Sequence, residues 1–152
     1  MRIAFMPGSF NPWHEGHGDV LHKALRVFDK IVLLQLSNSS KGEPERLQSK
    51  DITNGLWLYR HGKIEIVSRT DVSLVSAIGD YILNENETHN YAIIRGLRNE
   101  RDFCDEQTLQ YAYERMGIKM PIFFIIADRT LVDMSSTLVK EMQKYATRKK
   151  ET

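Results

Sequence analysis

Five short apolar runs punctuate the chain: "RIAFM" (2–6), "KIVLLQL" (30–36), "KIEIV" (63–67), "YAII" (91–94) and "IFFIIA" (122–127). Their apolar residues are largely contiguous and turn residues bound them, which predicts strands buried on both faces. Between the runs the spacing changes. Val20, Leu21, Ala24, Leu25 and Phe28 recur on one helical face, as do Leu74, Val75, Ile78, Tyr81 and Ile82. Strand and helix thus alternate, which predicts an α/β fold: a doubly wound, Rossmann-like, five-stranded parallel sheet with helices on both faces. Residues 37–62 begin as a polar loop and carry only a weak helical signal near Leu56, Trp57 and Leu58. The charged end "TRKKET" predicts a fraying tail. No repeat, long linker or composition shift divides the chain, so residues 1–152 read as a single domain.

Composition narrows the class. With 152 residues, 41% hydrophobic and 27% charged, the chain is not of disordered type, and it is long enough to bury about two-thirds of its unfolded surface. A formal charge of +1 supplies no global field for duplex DNA or an anionic membrane, so neither nucleic acid nor membrane is expected as a partner. Cys104 is the single cysteine, which rules out an intramolecular disulfide and a cysteine-based zinc site within one chain. The apolar start is broken by Pro7 and Gly8 and is too short for a signal or spanning segment, so a cytoplasmic protein is expected.

In an open parallel sheet, ligands bind beyond the carboxyl ends of the strands, so motifs that follow strands carry most weight. "PGSFNPWHEGH" (7–17) follows the first one. His14 and His17 fall at the start of the first helix, where unpaired N–H groups and the helix dipole favour an anion. Gly8 permits a close backbone approach, Ser9 and Phe10 supply N–H groups, and Pro12 stiffens the turn. A helix start with two solvated histidines fits the same spacing. A His-x-x-His zinc site would need further ligands, and no second pair lies nearby. Arg95 and Arg98 bracket Gly96 at the end of the fourth run, where guanidinium groups can project over the sheet edge. Ser135, Ser136 and Thr137 open the last helix with Asp133 nearby, as plain caps or as a second phosphate site.

These segments resemble a known family. "GSFNPWHEGH" is similar to the His/Thr-x-Gly-His signature of the nucleotidyltransferase superfamily. "IIRGLRNERDFCDE" (93–106) and "MSSTLVKEM" (134–142) resemble, in order and spacing, segments of the phosphopantetheine adenylyltransferase family. The resemblance implies transfer of an adenylyl group from ATP to 4′-phosphopantetheine, giving dephospho-CoA and pyrophosphate in coenzyme A biosynthesis. A phosphate nucleophile is already ionised, so catalysis reduces to positioning and charge stabilisation. His17 is implied as the transition-state stabiliser on the α-phosphate, with His14 assisting. Ser9 and Phe10 would serve as donors to nucleotide and acceptor, and Lys41 and Arg95 would bind the acceptor phosphate. Gly96, Leu97, Arg98 and Glu106 would line the ATP site, Ser135, Ser136 and Thr137 would hold the β- and γ-phosphates, and Leu74 and Val75 would flank the pantetheine arm.

Magnesium would ride on the nucleotide, since no carboxylate cluster is dedicated to it. Tyr113 stands where the family has an asparagine. Two other readings compete: a related nucleotidyltransferase with another acceptor, such as nicotinate or nicotinamide mononucleotide, and a non-catalytic nucleotide-binding domain. The family also implies a homohexamer. In "LQYAYERMGIKMPIFF" (109–124), Tyr111, Tyr113 and Met116 cannot all share a core-facing stripe with Leu109 and Ala112, so at least one should face outward. Tyr113 fits either an interface or the acceptor pocket.

Overall fold

The computed structural model describes residues 1–42, 45–52, 61–131 and 135–150. The weak helical signal at 56–58 and the possible cap Asp133 lie outside these residues, as does the side chain of Ser136. Five strands, β1 (Arg2–Gly8), β2 (Lys30–Ser37), β3 (Ile64–Thr70), β4 (Asn90–Leu97) and β5 (Ile122–Ile126), pair in parallel in the order β3-β2-β1-β4-β5. Four helices accompany them among the described residues: α1 (Glu15–Ala24), α2 (Leu74–Leu83), α3 (Glu100–Arg115) and α4 (Ser136–Lys150). The chain winds outward from β1 to β3, then returns to β4 on the other side of β1. The winding therefore reverses between β1 and β4.

The apolar runs are contiguous because alternate residues feed two separate cores. Ala4, Met6, Ile31, Leu33 and Ile94 pack with Val20, Leu21 and Ala24 of α1, and with Leu47 and Ile52 from the connection after β2. Ile3, Phe5, Val32, Leu34 and Ile93 face the other way, against Leu74, Ala77, Ile78 and Tyr81 of α2. Each fully buried side chain of this size is worth about 1.5–3 kcal/mol relative to exposure.

The elements depart from the sequence expectations in three places. First, β4 continues past Ile94 to Leu97, because its ladder with β5 pairs Arg95 with Phe124 and Leu97 with Ile126. Arg95 and Gly96 therefore lie within the strand rather than beyond it. Second, the charged tail is helical through Lys150, as part of α4. Third, α3 buries no residue completely, and Leu109, expected on its core stripe, is exposed along with Tyr111 and Met116.

Local chemistry explains α3. The Asn99 side chain accepts from the Asp102 N–H, and Glu100 and Asp102 place negative charge on the first turn. At the other end Gly117 has a φ of 95°, while the Gly117 N–H donates to Glu114 O and the Ile118 N–H to Tyr113 O. This is a Schellman cap, whose accompanying apolar contact is between buried Ile118 and Tyr113. Tyr113 is thus drawn against the core beneath the sheet. It is absent from the lining of the cavity described below, and part of its side chain stays exposed.

Helix α1 lies unusually close to β4. A Cβ on Gly96 would stand 2.8 Å from Val20 Cγ2. Valine is stiff about χ1 in a helix, so it cannot swing aside. Gly96→Ala should therefore destabilise the protein by about 1–3 kcal/mol, and adding Val20→Ala should recover part of the loss. Urea unfolding of the two single variants and the double variant measures this coupling; additive losses would contradict it.

Candidate active site

The site starts where β1 ends. A Cβ on Gly8 would meet the Phe10 ring at 2.9 Å, so only glycine lets the chain fold that ring back. Phe10 takes a φ of 48°, a conformation costing a bulky residue on the order of 1–3 kcal/mol. Burial offsets the strain: Phe10 is 3% exposed, and its ring centroid lies 5.4 Å from that of Trp13 and 5.1 Å from that of His17. Trp13, to which the sequence assigned nothing, sits 5.2 Å from His17 and packs on the α1-side core. It helps to wall the histidine off from water. A cis Asn11-Pro12 bond completes the turn.

The histidines are built into the start of α1. His14 is the N-cap, its Nδ1 accepting from the Gly16 N–H at 3.2 Å, and His17 Nδ1 accepts from the His14 N–H at 3.3 Å. A ring nitrogen that accepts carries no proton, so in both neutral rings the proton sits on Nε2. The spacing thus fixes the tautomer. The rings stack 3.7 Å apart. Burial, then His14, then Arg98 lower the His17 pKa to about 3, and burial followed by Arg98 lowers that of His14. Both are neutral hydrogen-bond donors near neutral pH.

Two arginines face them across the sheet edge. Arg95 makes a fork with Glu106, Nε donating to Oε2 at 2.8 Å and Nη2 to Oε1, while its Nη1 donates to Pro7 O at 3.1 Å. Arg98 donates to Asp102 from its backbone and from Nε, both at 2.9 Å. Burial works against the charged form of Asp102, yet the hydrogen bonds from Arg98 hold its carboxyl below the usual value. Together these groups bound a cavity of about 380 Å³ beyond the ends of β1 and β4, at the point where the winding reverses.

Phe10, His14, His17, Arg95, Gly96, Arg98, Glu106 and Ser135 all line this cavity. Ser135 does so as a helix cap, its Oγ accepting from the Leu138 N–H. Other expected residues stand apart. Leu97 is buried, its carbonyl accepting from the Ala127 N–H, and Thr137 is exposed outside the lining. Lys41 is exposed on the single turn Ser39–Lys41 after β2. Leu74 belongs to the α2-side core and Val75 packs against it. Ser9 is exposed and outside the lining.

A supporting bridge leaves little trace in the sequence. Asp19 Oδ2 accepts from Lys23 Nζ at 2.7 Å and from the Asp128 N–H at 2.8 Å, and Lys23 Nζ also donates to Ile126 O at 2.9 Å. It ties α1 to the end of β5 and so to the chain leading to Ser135. Its only sequence signal was an acid and a base four residues apart beside an apolar face.

Comparison with known proteins identifies the family. The Cytidylyltransferase-like family model matches residues 5–142, from β1 into α4. The chain belongs to that family. A phosphopantetheine adenylyltransferase of Mycoplasma capricolum subsp. capricolum is 30% identical over 145 residues, covering 95% of this chain and 99% of the relative. One from Mycoplasma mycoides subsp. mycoides SC is 31% identical over 147 residues, with the same coverage. A third, from Lacticaseibacillus paracasei, is 28% identical over 149 residues, covering 95% of this chain and 82% of the relative. This member of the cytidylyltransferase-like family is therefore a nucleotidyltransferase.

The depressed His17 pKa sets a pH dependence. The unfolded residue titrates near 6.5 and the folded one near 3, so within that window the unfolded chain binds more protons. This contribution to stability is complete above 6.5 and is lost as the pH falls toward 3. Between about pH 6 and 4.5, ahead of most carboxylates, His17 should cost up to about 1.4 kcal/mol per pH unit. Urea unfolding across that range should show a shallower slope for His17→Gln than for the parent; equal slopes would contradict the assignment.

Proposed function

We infer that this chain transfers the adenylyl group of ATP to 4′-phosphopantetheine, releasing pyrophosphate and forming dephospho-CoA, a step of coenzyme A biosynthesis. The observation that carries the chemistry is the neutral His17, its Nε2–H held as a donor at the N-terminus of α1 inside the cavity. The acceptor is the one named in the relatives.

The acceptor phosphate is an anion at neutral pH and needs no general base. It attacks the α-phosphorus of ATP, a P–O bond forms as the bond to the leaving pyrophosphate breaks, and negative charge grows on the α-phosphate oxygens. His17 donates to that charge from a fixed position, so little reorganisation is needed as it develops. His14 holds the ring of His17 and adds a second donor. Ser135, with Ser136 and Thr137, receives the β- and γ-phosphates at the start of α4. Arg95 and Lys41 bind the acceptor phosphate, Arg95 by exchanging part of its fork with Glu106.

Magnesium enters as part of the MgATP substrate, a reading supported by the engagement of Asp102 and Glu106 with arginines. A homohexamer is supported by exposed Leu109, Tyr111 and Met116 at α3 and Phe123 and Ile126 on β5. A cytoplasmic setting fits as well, because a single cysteine can form no intramolecular disulfide and suits a reducing compartment.

Incubation with MgATP and a panel of phosphorylated acceptors should release pyrophosphate with 4′-phosphopantetheine. Release only with a mononucleotide, or with none, would overturn the reading. His17→Ala should lower kcat on the order of a hundredfold with ATP affinity little changed. Lys41→Ala and Arg95→Ala should raise the acceptor KM; lost ATP binding with intact acceptor binding would reverse their roles. Light scattering that gives the monomer mass at every concentration would exclude the hexamer.

A further inference from the structure

Among the described residues Gln35 is the one polar residue buried in the core, 2% exposed, between Leu34 and Leu36 on β2. Its carboxamide is saturated. Nε2 donates to Ser9 O at 3.0 Å and to Glu45 O at 2.9 Å, while Oε1 accepts from the Leu47 N–H and from Ser68 Oγ, both at 2.9 Å. An amide has two donor hydrogens and two acceptor lone pairs, and all four are used. The side chain therefore has one orientation, and it joins three segments: the turn after β1, the connection downstream of Lys41, and β3.

The bond to Ser9 bears on the cavity. Gly8 is the last residue of β1 and pairs with Gln35 in the ladder, so the side chain of Gln35 extends that pairing by one residue after the strand has ended. In a planar trans peptide the C=O and the following N–H point in opposite directions. With the Ser9 carbonyl held on the β2 side, the Phe10 N–H is turned toward the β4 side, where the cavity lies. Among the described residues that N–H has no acceptor. We propose that Gln35 is a positioning residue, whose buried carboxamide locks the Ser9–Phe10 peptide so that the Phe10 N–H is presented to a nucleotide phosphate. The orientation follows from the hydrogen bonds alone; that the anion is a reacting phosphate of MgATP rests on the adenylyltransferase reading.

Three variants test it. Gln35→Glu retains the acceptor oxygens for Leu47 and Ser68 and loses both donors. Gln35→Met retains bulk and loses all four bonds, so a folding failure of the buried carboxylate leaves a neutral variant to measure. Ser68→Ala removes one bond remote from the turn. Either Gln35 variant should lower kcat at least tenfold, with the KM for 4′-phosphopantetheine within about twofold of the parent, and should move the Phe10 amide resonance. Ser68→Ala should leave kcat within twofold. Unchanged kcat in the Gln35 variants, or an equal fall in Ser68→Ala, would overturn the role. In the parent protein, titration with MgATP should shift the Phe10 amide, and its failure to move would overturn the proposal even if neither Gln35 variant folds. A parent that shifts this amide yet makes no product from 4′-phosphopantetheine would sink the assigned acceptor and leave the positioning role standing.

Discussion

The approach of α1 to β4 governs the placement of everything in the cavity. Val20 rests on Gly96 at a separation that no residue with a Cβ would permit, and the N-terminus of α1 is thereby carried over the gap between β1 and β4. Gly8 acts likewise one strand away by admitting the Phe10 ring. Two glycines at the ends of adjacent strands thus set the depth of the histidine pair. Glycine is usually read as a concession to turns, yet neither of these has a positive φ. What each supplies is the space of a missing methyl group, in a packed interior where shifts of a few tenths of an ångström are felt.

The histidine pair shows how a helix start can be both a structural and a chemical device. An ordinary capping box satisfies two backbone donors with a hydroxyl and a carboxylate. Here two imidazoles do so, and each spends Nδ1 on the backbone while keeping a proton on Nε2. Trp13 and Phe10 then hold His17 away from water, and burial keeps it uncharged. A neutral donor of fixed direction can sit beside Arg98 without the repulsion that a charged imidazole would meet. The strain at Phe10 is offset by the same aromatic contacts.

Much of this was legible in the sequence. Contiguous apolar runs revealed strands buried on two faces, and the position of "HEGH" after the first of them located the helix start. What stayed hidden depends on partners far along the chain. The periodicity of 109–116 left open where Tyr113 points, because a Schellman cap closed by Gly117 and Ile118, and not the helical stripe, draws it inward. Leu74, to which the resemblance gives a place beside the pantetheine arm, sits in the α2-side core, a position that its helical spacing allows just as readily. The resemblance gives Arg95 and Glu106 different ligands, and nothing in "IRGLRNERDFCDE" discloses that they pair with one another. Gln35 gave a faint signal, an amide in a run otherwise fit for the core, but its four partners lie 10 to 33 residues away.

The pairing of the cavity's arginines has one more consequence. Arg95 and Arg98 face Asp102, Asp105 and Glu106 in the same lining, and both histidines are uncharged, so two positive groups stand against three negative ones. A polyanionic substrate captured there must take the arginines from carboxylates that already hold them, so its binding is an exchange of partners. Discrimination then falls to the contacts made on arrival, where the spacing of phosphates against fixed donors matters more than their number.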